Sequence, residues 1–387
     1  MGCCERRMLG GMGLPGGALT KAVATFAAPA AVAAALAMPA AARQAAAPST
    51  TATPLYGSRI AYVTSSEAKP GPQVWTATPN GSAPMLLGPG DGPLVSPDGS
   101  RVAAGLFGAG LEKGASLAVY SVFPENLGPH TGPGFGNLAA QSATPLAWSP
   151  DSRYLAVMLV LTAVKGFAKK SGLAILDGRT GLLRTIAAGV IYGASFAPDG
   201  SDRVVFGRAL GQSLTSKVNL YTAAATGAGL RRITGDGRSL NPVWGPRFIA
   251  YDRERLRRND APVYQIWLRG SSPGAARRLT SIRVRSLVSG LTPIGFSSDG
   301  TRLLTEFVGQ DTSEAWTVQI PSGRARPVRV KRRPVVGGAI SRDGSRLLVY
   351  EGGLEGPAQG DNVVTVPFAG GAPTLLVAHA AQPSWNE

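Results

Sequence analysis

Short apolar runs alternate with polar turns along most of the chain, and one combination of the two recurs. An apolar residue is followed by Ser or Ala, a turn containing Asp, and a second apolar run, as in Val95-Ser-Pro-Asp-Gly99 before Val102. Pro presets the second turn position, Asp bonds to its own backbone, and Gly adopts positive φ. The pattern therefore predicts two β-strands joined by a tight turn.

This unit recurs about every 40 to 55 residues, a period typical of solenoids, propellers and arrays. Helical periodicity is almost absent beyond the first 42 residues, which favours an all-β fold. Because the turn Asp recurs at one position of the unit, we interpret it as a structural turn cap and not as a ligand or catalyst. The apolar anchors are Val95, Trp148, Phe196, Trp244, Phe296, Ile340 and Trp385, and the turn carboxylates are Asp98, Asp151, Asp199, Asp299 and Asp343.

The two ends of the chain carry complementary halves of the unit. Trp385 is an anchor with no strand after it, whereas residues 60–63 form an apolar run with no anchor before it. Pairing of these two strands in one sheet would close a circular array and leave no open sheet edge. We therefore predict a closed β-propeller over residues 55–387, with seven four-stranded blades and with six as the alternative.

The apolar-Ser-Pro-Asp-Gly unit resembles the WD40-like (PD40) repeats of the TolB C-terminal β-propeller. Related propellers precede the catalytic domain of prolyl-oligopeptidase-type peptidases. The resemblance covers residues 55–387, and most units carry it clearly. It implies a propeller fold, but the chain departs from TolB in the number of units. We also expect neither the N-terminal α/β domain of TolB nor a peptidase domain.

Residues 1–42 have the pattern of an export signal. Arg6, Arg7 and Lys21 precede an apolar run over residues 22–42 that ends in small residues, which predicts a cleaved signal. An uncleaved membrane anchor is the alternative. Residues 43–54 are rich in Ala, Thr and Pro and predict a flexible linker. We therefore expect a secreted, periplasmic or cell-envelope protein, or one that is membrane-anchored by this segment.

The chain carries 39 Lys and Arg against 23 Asp and Glu, a net charge of +16. Strands alternate in direction, so the loops between second and third strands share a face with the links between blades. We call this the loop-rich face. A basic sector there would attract an acidic protein or an anionic envelope polymer, although such charges are often only solvated. The predicted basic residues are Lys165, Lys169, Lys170, Arg208, Lys217, Arg253, Arg255, Arg257, Arg258, Arg283, Arg285, Lys331, Arg332 and Arg333.

Candidates for catalysis and metal binding are few. Both cysteines lie at positions 3 and 4, so the exported chain would have no thiol chemistry. The two histidines are His130 and His379, and no phosphate loop or dinucleotide motif follows a strand. The nearest match to a nucleophile elbow, at residues 193–197, enters a strand where a strand-to-helix turn is required. We expect no catalytic residue, metal or cofactor.

Two functions remain open at this point. The favoured one is an exported, non-enzymatic propeller that binds a protein or an anionic polymer on its basic loop-rich face. Nucleic acid is not an expected partner, because the basic loops contain only one stacking aromatic, Phe167. The alternative is a propeller enzyme of the glycan lyase or hydrolase type, with its site at the channel mouth. Such an enzyme would need paired carboxylates with perturbed pKa values.

Overall fold

The computed structural model describes residues 57–66, 69–106, 117–122, 140–161, 170–211, 217–257, 260–270, 275–283, 288–309, 312–352 and 361–386. These residues belong to one compact unit, and its regular elements are β-strands, so the all-β prediction is confirmed for this part of the chain. Within these ranges no helix is long and apolar enough to cross a bilayer. The predicted signal and linker, residues 1–42 and 43–54, lie outside the described residues.

The strands of the first half of the chain are β1 Ile60–Ser66, β2 Lys69–Ala77, β3 Met85–Pro89, β4 Asp91–Val95, β5 Arg101–Gly105, β6 Leu117–Ser121, β7 Ala140–Trp148, β8 Tyr154–Leu161, β9 Lys170–Asp177, β10 Leu183–Ala188, β11 Val190–Phe196, β12 Arg203–Ala209, β13 Val218–Ala224 and β14 Arg231–Arg232. Those of the second half are β15 Ser239–Trp244, β16 Phe248–Arg257, β17 Asp260–Gly270, β18 Arg277–Arg278, β19 Val288–Phe296, β20 Arg302–Gly309, β21 Ser313–Gln319, β22 Ala325–Pro327, β23 Arg329–Val330, β24 Arg333–Pro334, β25 Val336–Ile340, β26 Arg346–Glu351, β27 Asn362–Pro367, β28 Thr374–Ala378 and β29 Ala381–Trp385.

Consecutive strands pair antiparallel, and most of the sheets have four strands. In chain order we label them sheet I (β29-β1-β2-β3), II (β4 to β6), III (β7 to β10), IV (β11 to β14), V (β15 to β18), VI (β19 to β22) and VII (β25 to β28). A parallel pair between Tyr264 and Gly290 joins β17 to β19, so that β15 to β22 form one eight-stranded sheet, which we divide into V and VI at this pair. The short hairpin of β23 and β24 lies between sheets VI and VII in sequence.

Sheet I joins the two ends of the described chain. β29 pairs with β1, and Ile60 lies opposite Trp385, the pairing that the sequence pattern predicts. Asn386 occupies the position of the repeat that is Ser in four of the other units. Its Oδ1 accepts a hydrogen bond from Arg59 N at 2.7 Å, as Ser96 Oγ accepts one from Arg101 N at 3.0 Å. The Asn386 side chain thus provides, between two distant segments of the chain, the same acceptor that Ser96 provides within a continuous turn.

The sheets pack face to face through apolar cores. The second strand of sheet IV reads Val204-Val205-Phe206 and is buried on both faces, because sheets III and V cover it. This explains why the second strands are continuous apolar runs in the sequence. The first strands contact one another in the order β4, β7, β11, β15, β19, β25 and β29, and β29 also contacts β4.

The repeated Ser and Asp residues make the same hydrogen bonds in successive turns. Ser297 Oγ donates to Asp299 Oδ1 at 2.6 Å and accepts from Arg302 N at 3.1 Å, while Thr301 N donates to the same carboxylate at 2.9 Å. The hydroxyls of Ser297 and Thr301 and this amide lower the pKa of Asp299 to about 2. The equivalent Ser–Asp contacts are Ser96–Asp98, Ser149–Asp151 and Ser341–Asp343, and at Asp199 the donor is Ser201.

The turns between first and second strands and those between third and fourth strands lie at the same end of each sheet. In sheet III, Gly178 N donates to the Arg153 carbonyl at 2.7 Å across the two turns. The Arg153 guanidinium also binds the Asp177 carboxylate at 3.0 Å. We call this end the turn face; the opposite end carries the links between sheets.

Candidate functional site

The predicted basic residues are only partly covered by the described structure. Side chains are described for Arg208, Lys217, Arg253, Arg283, Lys331, Arg332 and Arg333. Lys165, Lys169, Arg258 and Arg285 lie outside the described residues. Lys170, Arg255 and Arg257 belong to strands whose side chains are not described at these positions.

The described basic residues fall into separate groups. Lys331 and Arg332 form the turn of the β23–β24 hairpin, with φ angles of 50° and 69°, and both are exposed. Arg208, in sheet IV, is held by sheets III and IV: its Nε donates to the Ala188 carbonyl of sheet III at 2.5 Å, and its guanidinium lies 5.4 Å from the Tyr221 ring of sheet IV. The cations of the hairpin therefore belong to a different sheet boundary from Arg208 and Arg253.

A groove on the side of sheet V that faces sheet IV brings several charged side chains together. We call it the loop-side groove, because Arg238 stands at its end just before β15. It has a volume of about 200 Å³ and is lined by Arg238, Arg253, Glu254, Gln265, Trp267 and Arg278. The strand register explains this set: Arg253 lies opposite Gln265, and Trp267 lies opposite Arg278, so their side chains share one face of sheet V.

Arg253 is held in place within the loop-side groove. Its guanidinium lies 4.4 Å from the centre of the Trp267 ring, and its Nε bonds to the Asp236 carboxylate at 2.9 Å. Arg238 and Arg278 are exposed and form no ion pair among the described residues. The groove thus presents two exposed guanidinium groups and the Glu254 carboxylate beside a third guanidinium, that of Arg253, which Asp236 already neutralises.

A second and larger cavity lies between the same two sheets at the turn face. We call it the turn-side cleft; its volume is about 430 Å³. The lining arginines come from three strands: Arg203 from β12, Arg231 from β14 and Arg269 from β17. The rest of the wall consists of Thr222, Ala223, Ala224, Ala228, Gly229, Ile233, Trp244, Ile249 and Gly270.

Sequence reasoning missed the turn-side cleft because it assigned the basic function to long loops. The three arginines of the cleft lie within strands, next to short turns that were interpreted as architectural. The strand alternation Trp267, Leu268, Arg269 does contain a usable hint, since it puts an arginine on the same face as a partly buried Trp.

Two carboxylates, one in sheet V and one in sheet VI, have pKa values that burial raises. Asp252 is 1% exposed, and its Oδ2 accepts hydrogen bonds from Asn241 Nδ2 and Thr292 Oγ1, both at 3.0 Å. Burial raises the pKa of Asp252 to about 7, while its Oδ1 is buried with no hydrogen-bond partner. Thr292 lies opposite Glu306 in the sheet, and burial raises the pKa of Glu306 as well. Sequence reasoning did not select either residue.

Within the described residues, no group of three or more His, Cys, Asp or Glu side chains is arranged to hold a metal ion. His130 lies outside those residues, and His379 precedes β29 in sheet I with a φ of 56°.

The sequence matches no known protein-family profile and no curated protein. Among solved structures, the β-propeller domain of the Trilobed protease from Pyrococcus furiosus aligns with a TM-score of 0.58 and 14% identity, covering 83% of this chain and 95% of that one. An oligogalacturonate lyase in complex with manganese aligns with a TM-score of 0.52 and 12% identity, covering 79% and 82%. TolB from Acinetobacter baumannii aligns with a TM-score of 0.48 and 16% identity, covering 86% and 67%. At such identities, the first two likenesses establish the fold alone: this chain has the fold of a β-propeller.

Proposed function

We propose that residues 55–387 form a closed propeller of seven blades, one for each of sheets I to VII. Three observations support a closed ring: the cyclic order of contacts between first strands, the pairing of β29 with β1, and the apolar core that sheets VII and I share. A ring of six would require two sheets to merge. The Tyr264–Gly290 pair is a single bridge between sheets V and VI, each of which has its own four strands.

The propeller acts as an exported binding module, without catalysis, that docks an acidic protein or an anionic envelope polymer on its loop-rich face. The observation that carries this function is the loop-side groove, where Arg238, Arg253 and Arg278 converge beside Trp267. Guanidinium groups bind carboxylates and phosphates with paired hydrogen bonds, and Arg253 is already oriented by Trp267 and Asp236. The net charge of +16 adds long-range attraction for such a partner.

Charge reversal in the groove tests the proposal. The variant Arg238→Glu/Arg278→Glu is compared with Arg179→Glu/Arg326→Glu, which makes the same charge change at exposed positions in sheets III and VI. Retention of the protein on immobilised cell-envelope fractions at low salt is the measurement. We expect the groove variant to lose retention and the control to keep most of it. Equal retention of the two variants would rule out docking in the groove.

Export is tested on the protein itself. Cleavage of the predicted signal would leave a mature chain that begins close to residue 43, and mass spectrometry of the secreted or periplasmic fraction would detect it. A full-length chain in the membrane fraction would instead support the anchor alternative. Either result is independent of where the partner docks.

An enzyme at the channel mouth is the second candidate, because a group with a pKa of about 7 suits general acid–base catalysis. We rank the enzyme below the binding module because Asp252, the group with this pKa, is only 1% exposed and is bonded to Asn241 and Thr292, so a substrate has little access to it. Incubation with polygalacturonate, followed by ultraviolet absorbance of unsaturated products, tests a lyase. Product formed by the wild type and lost in Asp252→Asn would replace the binding proposal with the enzyme.

A further inference from the structure

The turn-side cleft has the volume of a small-molecule site. Its volume of about 430 Å³ falls in the usual range for ligand pockets, roughly 300–1,000 Å³. Sheet IV contributes one wall and sheet V the other, and small residues such as Ala224, Ala228 and Gly229 line it without filling it. Ile233 and Ile249 add apolar surface. The cleft can therefore accommodate a compact organic molecule.

The cleft also concentrates positive charge without neutralising it. Arg203, Arg231 and Arg269 line it, no carboxylate does, and none of the three forms an ion pair among the described residues. Asp202 precedes Arg203 in sequence. The charged groups that influence the pKa of its carboxyl group are, however, Asp151 and Arg153 of sheet III, and Arg203 is not among them. The contrast with the loop-side groove is clear, since Arg253 there is paired with Asp236.

One of these arginines is already positioned by the fold. The Arg203 guanidinium lies 4.9 Å from the centre of the buried Trp244 ring, and Trp244 N donates a hydrogen bond to Ser195 Oγ at 3.0 Å. Arg231 lies opposite Thr222 on β13, and Arg269 lies opposite Ile249 on β16. The three arginines therefore converge on one cavity from three different strands. Because Arg203 is already held in position before a ligand binds, it loses less conformational entropy on binding.

We propose that the turn-side cleft binds a small organic anion that carries two or more negative charges, as carboxylates or phosphates. Three guanidinium groups match several anionic oxygens through charge-assisted hydrogen bonds, while Ile233 and Ile249 contact the body of the ligand. A single carboxylate would leave two of the cations without a partner. This site lies on the turn face, so it is a function beyond the docking of a partner on the loop-rich face.

Isothermal titration calorimetry with citrate and with pyrophosphate tests the site, and acetate serves as the monovalent probe. The two arms separate a carboxylate ligand from a phosphate ligand. We expect the wild type to bind at least one of the two, and Arg231→Gln and Arg269→Gln each to weaken that binding about tenfold or more. The matched controls are Arg179→Gln in sheet III and Arg326→Gln in sheet VI, both exposed, for which we expect unchanged affinity.

Two results would overturn this site. One is the absence of binding for both multivalent anions at millimolar concentration. The other is a similar loss of affinity in all four variants, which would mean that the anions respond only to net charge. Thermal unfolding of each variant shows whether it is folded. Retention of the Arg238→Glu/Arg278→Glu variant on envelope fractions reports on the loop-side groove, whereas calorimetry with compact anions reports on the cleft, so the failure of one site is distinguished from the failure of the other.

Discussion

The buried carboxylate of Asp252 makes the stability of the propeller depend on pH. Oδ2 accepts bonds from Asn241 and Thr292, but Oδ1 has no partner, so the ionised form is poorly solvated. Burial raises its pKa from 3.8 to about 7. The substitution Asp252→Asn removes the charge while keeping the shape and an oxygen that can accept both hydrogen bonds.

Proton linkage gives the direction and the size of the change in unfolding free energy with pH. Between pH 3.8 and 7, the folded chain holds a proton on Asp252 that the unfolded chain has released. Stability from this group is therefore greatest at low pH and is lost as the pH rises through 7. Between pH 5 and 8 the loss amounts to about 2.5 kcal/mol for a single group with these pKa values. Glu306, whose pKa burial also raises, acts in the same direction.

Urea unfolding followed by tryptophan fluorescence at several pH values between 5 and 8 measures this effect. We expect the wild type to lose about 2.5 kcal/mol of unfolding free energy across this range. The Asp252→Asn variant should lose much less and be the more stable protein at pH 8. Glu254→Gln is the matched control, because Glu254 lies on the same strand and is only partly buried. If Asp252→Asn and the wild type show parallel pH dependence, Asp252 is not the titrating group.

Three further substitutions test the architecture. Asn386→Ala removes the acceptor of the Arg59 amide, so we expect about 1–2 kcal/mol less stability in urea unfolding; an unchanged midpoint would show that this bond is dispensable. Asp299→Ala removes the turn cap and should cost about 1 kcal/mol at neutral pH. Because the folded pKa of Asp299 is about 2, that difference should disappear as the pH falls through this value. Gly290→Ala would place a Cβ 2.2 Å from a backbone oxygen at a φ of 115°, and it should cost more than about 2 kcal/mol. Gly181→Ala, at a φ of 71° in open space, should cost only about 1 kcal/mol, and equal costs would argue against the clash.

The loop-side groove and the turn-side cleft are close enough to influence each other in binding experiments. The loop-side groove and the turn-side cleft lie on the same side of sheet V, with Trp267 in one wall and Arg269 two residues further along the strand in the other. Two residues of a strand span about 7 Å. A bulky polyanion bound in one cavity would therefore affect the other, and compact anions are needed to test the cleft by itself.

The sequence by itself determined the strands, the turns and the pairing of the two chain ends. Ser297, Asp299 and Gly300 act within a few residues of one another, so the turn chemistry is local and readable from the chain. The pairing of Trp385 with Ile60 followed from complementary half-units. Buried second strands such as 204–206 were readable because both faces are covered, which requires a continuous apolar run.

Only the tertiary structure decided which charges meet. Arg203 and Arg269 come from different sheets and are more than sixty residues apart, so their convergence depends on the packing of two blades. The same packing buries Asp252 against Thr292 of the next sheet and pairs Arg253 with Asp236. Local sequence patterns specify which way a side chain points on its own strand. They carry no information about which side chain of a neighbouring sheet it will face, and the charge state of each site depends on that neighbour.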